Sequence, residues 1–195
     1  MNAANEAPYG SWRSSITPEM IVTGGVRLGG LAVDGEDCYW TEGRPAEGGR
    51  NVLVRRSADG RVDDLTPEPF NVRTRVHEYG GGAFTVADGR VWFVNFADQG
   101  LYTQLPGGLP ERLHEGGDVR FADLIVDRSR DRVYCVVEDH RGEGEECNQL
   151  GAVDAKGHVR ILASGSDFYS NPALSPDGSK LAWLTWDHPR MPWDG

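Results

Sequence analysis

The stretch Asn51-Val-Leu-Val-Arg-Arg-Ser-Ala-Asp-Gly-Arg-Val-Asp-Asp-Leu-Thr66 holds two strand-like runs, Asn51–Arg56 and Asp63–Thr66, either side of a turn at Gly60. The arrangement returns at Gln99-Gly-Leu-Tyr-Thr-Gln-Leu-Pro-Gly-Gly-Leu-Pro-Glu-Arg-Leu-His114 and at Asn148-Gln-Leu-Gly-Ala-Val-Asp-Ala-Lys-Gly-His-Val-Arg-Ile-Leu-Ala163. Leu53, Leu101 and Leu150 are spaced by 48 and 49 residues, and so are Gly60, Gly108, Gly157 and Leu65, Leu113, Leu162. A period of about 40–50 residues built from short strands is the signature of a β-propeller, whose units bury their apolar faces only against neighbours.

Each unit opens with a second hairpin. Leu28–Val33 and Asp37–Glu42 flank Asp34-Gly35, and Gly82–Val86 and Arg90–Asn95 flank Ala87-Asp88-Gly89. Phe121–Val126 and Arg132–Glu138 flank Asp127–Asp131, and Ala173–Ser175 and Lys180–Thr185 flank Pro176-Asp177-Gly178. Asp-Gly between alternating apolar runs supplies the positive φ of a tight hairpin. The expected fold is all-β: an incomplete propeller of about three and a half four-stranded antiparallel blades. The blades are expected at about 28–66, 81–114 and 121–163, with a half blade at 170–187. Residues 1–27 read as an amino-terminal arm with a short helix, Thr17 capping it and Pro18 at its first position. Tyr9-Gly-Ser-Trp-Arg13 reads as an ordered arm or a docking segment. In the second strands, Tyr39, Trp40, Trp92, Phe93, Tyr134, Cys135 and Trp183 are expected to pack between blades on alternate sides.

The 26 glycines and 11 prolines fit a turn-dense β protein. With 30 acidic and 20 basic residues the formal charge is −10, which argues against nucleic acid or an anionic membrane as partner. No stretch approaches the ~20 apolar residues of a membrane span, and Met1–Trp12 lacks the basic and apolar regions of a secretory signal. Cys38, Cys135 and Cys147 form no even framework and no zinc spacing; the first two read as small buried apolar residues. The expected compartment is the cytoplasm, and neither a cofactor nor a metal is expected.

Blade topology puts the loops between second and third strands on the same side as the connections to the next blade. These are Gly43–Arg50, Phe96–Gln99, Asp139–Cys147, the tail Trp186–Gly195 and the connection Pro67–Gly81. They carry the candidate residues for a substrate- or domain-facing surface: Arg73, Arg75, His77, Glu78, Tyr79, Arg44, Arg50, His140 and Arg141. Function concentrates on loops held by a rigid scaffold, and the turns at the other end are short. His77 and Glu78 do not read as a catalytic pair, since neighbours on an extended segment point to opposite sides. Gly80-Gly81-Gly82 precedes no helix, so it reads as close packing at an inner strand rather than a phosphate loop.

Asn171-Pro-Ala-Leu-Ser-Pro-Asp-Gly-Ser-Lys-Leu-Ala-Trp183 resembles the repeat of Tol-type propellers and of the prolyl oligopeptidase family. Phe70-Asn-Val-Arg-Thr-Arg-Val-His-Glu-Tyr-Gly-Gly-Gly82, Asn95-Phe-Ala-Asp-Gln99 and Leu184-Thr-Trp-Asp-His-Pro-Arg-Met-Pro-Trp-Asp194 are similar to the amino-terminal propeller of that family's acylaminoacyl-peptidase and dipeptidyl-aminopeptidase-like branch. The resemblance runs from about Tyr9 to Gly195. It implies the propeller portion of a serine peptidase, truncated before the catalytic domain. Such a propeller gates or binds peptide substrate and docks an α/β-hydrolase domain of the same parent chain, which carries the triad. A stand-alone Tol-type propeller acting as a binding module remains the alternative. A metal-dependent lactonase is disfavoured, because the first strands begin mostly with Gly, Ala and Phe.

Two expectations follow for the isolated chain. Its uncovered blade faces and strand edges favour self-association. No G-x-S-x-G nucleophile elbow occurs in the 195 residues, so no catalytic residue is assigned and the chain alone is expected to hydrolyse no peptide. Incubation with a fluorophosphonate probe and chromogenic aminoacyl substrates should give neither labelling nor turnover; stoichiometric labelling with turnover would refute this.

Overall fold

The computed structural model describes residues 8–11, 14–22 and 24–194. Trp12 and Arg13, part of the expected arm, lie outside the described residues, and Tyr9 is exposed. A short helix, α1, spans Pro18–Val22. The Thr17 hydroxyl accepts the Met20 N–H at 3.2 Å, satisfying one of the donors a helix start leaves free.

The rest is strand. Blade one comprises β1 (Arg27–Asp34), β2 (Asp37–Arg44), β3 (Arg50–Arg56) and β4 (Val62–Asp64). Blade two comprises β5 (Phe84–Ala87), β6 (Arg90–Val94), β7 (Leu101–Gln104) and β8 (Glu111–His114). Blade three holds β9 (Val119–Asp127), β10 (Arg132–Asp139), β11 (Cys147–Asp154) and β12 (Val159–Ser164), and β13 (Phe168–Leu174) pairs with β14 (Leu181–Trp186) as a half blade. Within each sheet the strands follow chain order and run antiparallel, and no strand crosses to another sheet. The first strands β1, β5, β9 and β13 lie side by side in that order. The chain is an incomplete β-propeller of three and a half blades. Among the described residues no helix is long and apolar enough to cross a membrane.

Three apolar clusters fill the seams. Tyr39 and Leu53 of blade one meet Val91, Phe93 and Tyr102 of blade two. Trp92, Val94 and Leu101 of blade two meet Phe121, Val133, Cys135 and Val153 of blade three. Ala122, Val136 and Leu150 of blade three meet Tyr169 of the half blade, with Val76 from the connection between blades one and two. Trp92 and Phe93 are adjacent, so the strand pleat sends them into different seams. Cys135 is fully buried, and burial pushes its thiol well above the usual range; Cys38 is only half-buried.

The inner strands depart from the regular ladder. The pairing of β1 slips between Gly29 and Leu31, that of β9 between Ala122 and Ile125, and that of β13 between Ser170 and Ala173. The left-handed residues Gly30, Asp123 and Asn171 sit at these bulges, with φ of 53°, 54° and 50°. A bulge bends and twists its strand. The inner strand of the half blade accordingly begins at Phe168, ahead of the expected Ala173, and its extra residue is absorbed in the bulge. Asp123 serves a second purpose. Its carboxylate accepts the Gly82 N–H at 2.7 Å and the Asn171 N–H at 2.9 Å, joining blades two and four to blade three. A Cβ on Gly81 would stand 2.9 Å from Asp123 Oδ1 and 3.1 Å from Ala122 Cβ, so the glycine run is there to let the backbones approach.

The end faces are uncovered. Ala32 packs towards blade two, so Leu28, Leu31 and Val33 of β1 point away from it, and all three are exposed. Trp183 was expected inside a seam. It shares the strand side of Leu181, which packs on the third cluster, but remains 39% exposed because the half blade has no third strand beside it.

Trp92→Ala should cost ~3–5 kcal/mol of stability through the cavity it leaves; a loss below about 1 kcal/mol in denaturant unfolding would contradict the packing described. A second outcome concerns acid. Burial raises the pKa of Asp127, but hydrogen bonds from Ser129, Arg130 and Tyr134 outweigh it and hold the carboxyl well below the ordinary range. The folded value lies below the unfolded one of about 3.9. Asp127 therefore stabilises the fold fully above about pH 4, and that contribution fades as pH falls through the folded value. The denaturant midpoints of the native chain and of Asp127→Asn should differ at pH 7, and the gap should begin to narrow as pH falls below about 4; a gap unchanged with pH would contradict the assignment.

Candidate functional site

The connection from blade one to blade two, residues 65–83, lies across the top of the seam between them. Asn71 is its first fixing point. Its Oδ1 accepts the Asn51 backbone N–H at 2.9 Å, its N–H donates to Asn95 Oδ1 at 3.0 Å, and its carbonyl accepts the Phe96 N–H at 2.8 Å. Arg73 N–H then donates to the Val94 carbonyl and Arg75 N–H to Gln99 Oε1. Val72, Thr74 and Val76 are buried, so the alternation leaves Arg73 and Arg75 facing outward.

Arg73 and Arg75 converge on one ring. Their guanidinium carbons lie 4.8 and 4.3 Å from the centroid of Phe96, a cation–π arrangement that holds two like charges together on an aromatic face. Among the described residues neither arginine forms an ion pair. Both present free donors.

Past Arg75 the chain is not extended. His77 and Glu78 have φ of 54° and 63°, and Glu78 N–H and Gly80 N–H donate back to Arg75 and Val76 carbonyls. The turn is held from below by Glu138, whose side chain is 1% exposed at the end of β10. Glu138 accepts the His77 N–H at 2.6 Å, Arg120 Nη1 at 3.0 Å and His140 Nε2 at 2.6 Å. A buried carboxylate needs such partners to remain charged. Arg120 extends the network, reaching the Arg75 carbonyl at 3.3 Å and Glu78 Oε1 at 3.5 Å. His77 and Glu78 diverge, though through a turn and not through extended alternation: the Glu78 side chain is 88% exposed, while the His77 ring sits edge-on to Phe168 and Trp186. Burial pushes the His77 pKa down, opposed by the carboxylates of Glu138 and Asp123. Tyr79 is exposed, with its hydroxyl 3.4 Å from His77 Nδ1.

The remaining candidates are engaged within the blades. Arg44 binds Glu42, Glu47 and Asp64, and these hydrogen bonds raise its pKa further despite burial. Arg50 binds Glu47 and donates to the carbonyls of Thr66 and Phe70. Arg141 forks onto Asp139, holding that carboxyl at about 2. His140 is committed to Glu138. The structure thus brings Arg73 and Arg75 together, sets His77, Glu78 and Tyr79 beside them, and leaves Arg44, Arg50 and Arg141 in ion pairs of their own. Glu138, Arg120 and the Asn51–Asn71–Asn95 set were missed in the sequence. The one signal for Glu138 is an acid closing the apolar run Tyr134-Cys-Val-Val137.

No protein-family model matches the chain, and no curated protein matches it. Solved structures do. A puromycin hydrolase is 38% identical over 97% of this chain with a TM-score of 0.85. A puromycin-hydrolyzing peptidase from Mycobacterium tuberculosis is 35% identical over 96% of it, with a TM-score of 0.83. The chain spans 32% of the length of each. TolB from Acinetobacter baumannii, at 15% identity, 85% of this chain, 39% of that one and a TM-score of 0.58, shares the fold alone. Over nearly its whole length the chain thus matches a β-propeller of the prolyl oligopeptidase family, that of the puromycin hydrolases.

Proposed function

We propose that this chain is the non-catalytic propeller portion of a serine peptidase. In this reading it docks an α/β-hydrolase domain of the same parent chain and gates or binds the substrate that reaches it. The observation carrying it is the 38% identity to a puromycin hydrolase across nearly the full length of the chain. The substrate class it suggests is a short peptide or an aminoacyl amide. The reading takes the cytoplasm as compartment, on three unpaired cysteines, and needs no cofactor.

The surface around Phe96 supports the assignment of a contact face. Two guanidinium groups without carboxylate partners stand beside an exposed Tyr79 on the end of the ring that carries the longer loops. Guanidinium forks bind a carboxylate in bidentate fashion, whether it comes from substrate or from an interdomain Asp or Glu. The alternative, a stand-alone binding propeller, has only the fold likeness to TolB in its favour.

The test is a chimera in which this chain replaces the matching segment of a puromycin hydrolase. A folded chimera should cleave chromogenic aminoacyl substrates; one that folds and is inert would overturn the reading. In the active chimera, Arg73→Ala with Arg75→Ala should lower kcat/KM by about tenfold or more, the scale of one charge-assisted hydrogen bond. The melting temperature should not change. Lost stability with unchanged kinetics would leave these residues a structural role only.

A further inference from the structure

A cleft of about 950 Å³ opens between the inner strands of blades one and two, on the face just described. Its floor is the backbone of Gly29, Gly30 and Gly80–Gly82, and its apolar wall includes Val72, Ala83 and Phe84. Arg27, Arg73, Tyr79, Thr41, Asn51 and Thr74 are its polar lining. Among the described residues no Asp or Glu lines it, although acids outnumber basic residues 30 to 20 in the chain. Arg27 and Arg73 are exposed and, among the described residues, form no ion pair. The other arginines of this face, Arg44, Arg50 and Arg141, are neutralised by carboxylates within 4 Å, and Arg75 does not line the cleft.

We propose that this cleft is a peptide-carboxylate subsite, with Arg27 and Arg73 as its cationic pair and the glycine floor admitting an extended backbone. The inference deepens the reading of this face as substrate-facing and adds Arg27, which the loop argument did not include. Several features converge. The size is that of a small-ligand pocket, and such pockets are mostly apolar with a few placed polar groups. A cavity without acids concentrates positive potential that the rest of the acidic surface does not supply. The glycines leave main-chain groups of the inner strands accessible, where side chains would cover them.

Titration of the chain with three acetylated tripeptides tests this: one with a free terminal carboxylate, the same peptide as its amide, and an amide with a central glutamate. A carboxylate-bearing peptide should bind about tenfold more tightly than the neutral amide, and less tightly at high salt. Which of the two acids binds identifies the source as the chain terminus or an acidic side chain. Arg27→Gln and Arg73→Gln should each abolish the preference, while Lys156→Gln, an equal loss of charge in a remote turn, should leave it intact. Equal affinity for all three peptides, or a preference that survives both arginine substitutions, would overturn the proposal. Circular dichroism keeps a misfolded variant from being scored. Carboxylate selectivity with an inert chimera would sink the peptidase reading alone; an active chimera without selectivity would sink this one alone.

Discussion

Trp92 and Phe93 are neighbours in β6, yet one packs towards blade three and the other towards blade one. That division expresses the constraint behind the whole molecule. A four-stranded sheet this small has two apolar faces and covers neither by itself, so each blade is stable only between two others. The burial of β6 and β10 is nearly continuous, without the in–out alternation of a half-exposed sheet, because both of their faces meet a neighbour. Blade one meets a neighbour on one side only, and β1 is correspondingly exposed.

Apolar seams alone would let blades slide, since the hydrophobic effect is non-directional. The polar ties fix the angle between them. Asp123 binds backbone N–H groups of blades two and four at the inner end. Asn71 links the Asn51 and Asn95 positions of blades one and two at the loop end. At the opposite end Arg128 reaches Asp34 and Asp88, and the Asp34 carboxylate also takes the Gly89 N–H. The Asp123, Asn71 and Asp34 ties each set a carboxylate or an amide against main chain, which specifies geometry more closely than packing does.

The architecture was legible in the sequence because a propeller repeats: three landmarks at one period fix the blades, and Asp-Gly turns fix the hairpins. The parts that were not legible depend on single residues with unusual backbone or long-range partners. The last inner strand reads from Ala173, and only the pairing of β13 with β14 carries it through a bulge back to Phe168. The turn at His77 and Glu78 rests on a carboxylate 61 residues away, a separation that no local pattern reveals. The grouping of Arg73 with Arg75 was visible as alternation, but their shared partner, Phe96, lies on another blade's loop.

The distribution of acids separates structural from available cations. Most arginines on this face sit next to a carboxylate that the fold itself places: Glu42, Glu47 and Asp64 around Arg44, Asp139 under Arg141, and Glu138 under Arg120. Desolvating a charge is costly unless it is paired, and the half-buried Arg44, Arg50 and Arg120 are all paired. Arg27, Arg73 and Arg75 are exposed, so hydration already satisfies them and folding has no need of a counter-charge there. What remains is their placement. Arg73 and Arg75 are pinned on Phe96, and Arg27 lines the same glycine-floored cleft as Arg73. A guanidinium held in place before a ligand arrives loses less side-chain freedom on binding than a free one. The stacking on Phe96 therefore turns a rigid loop into a surface with two oriented guanidinium groups.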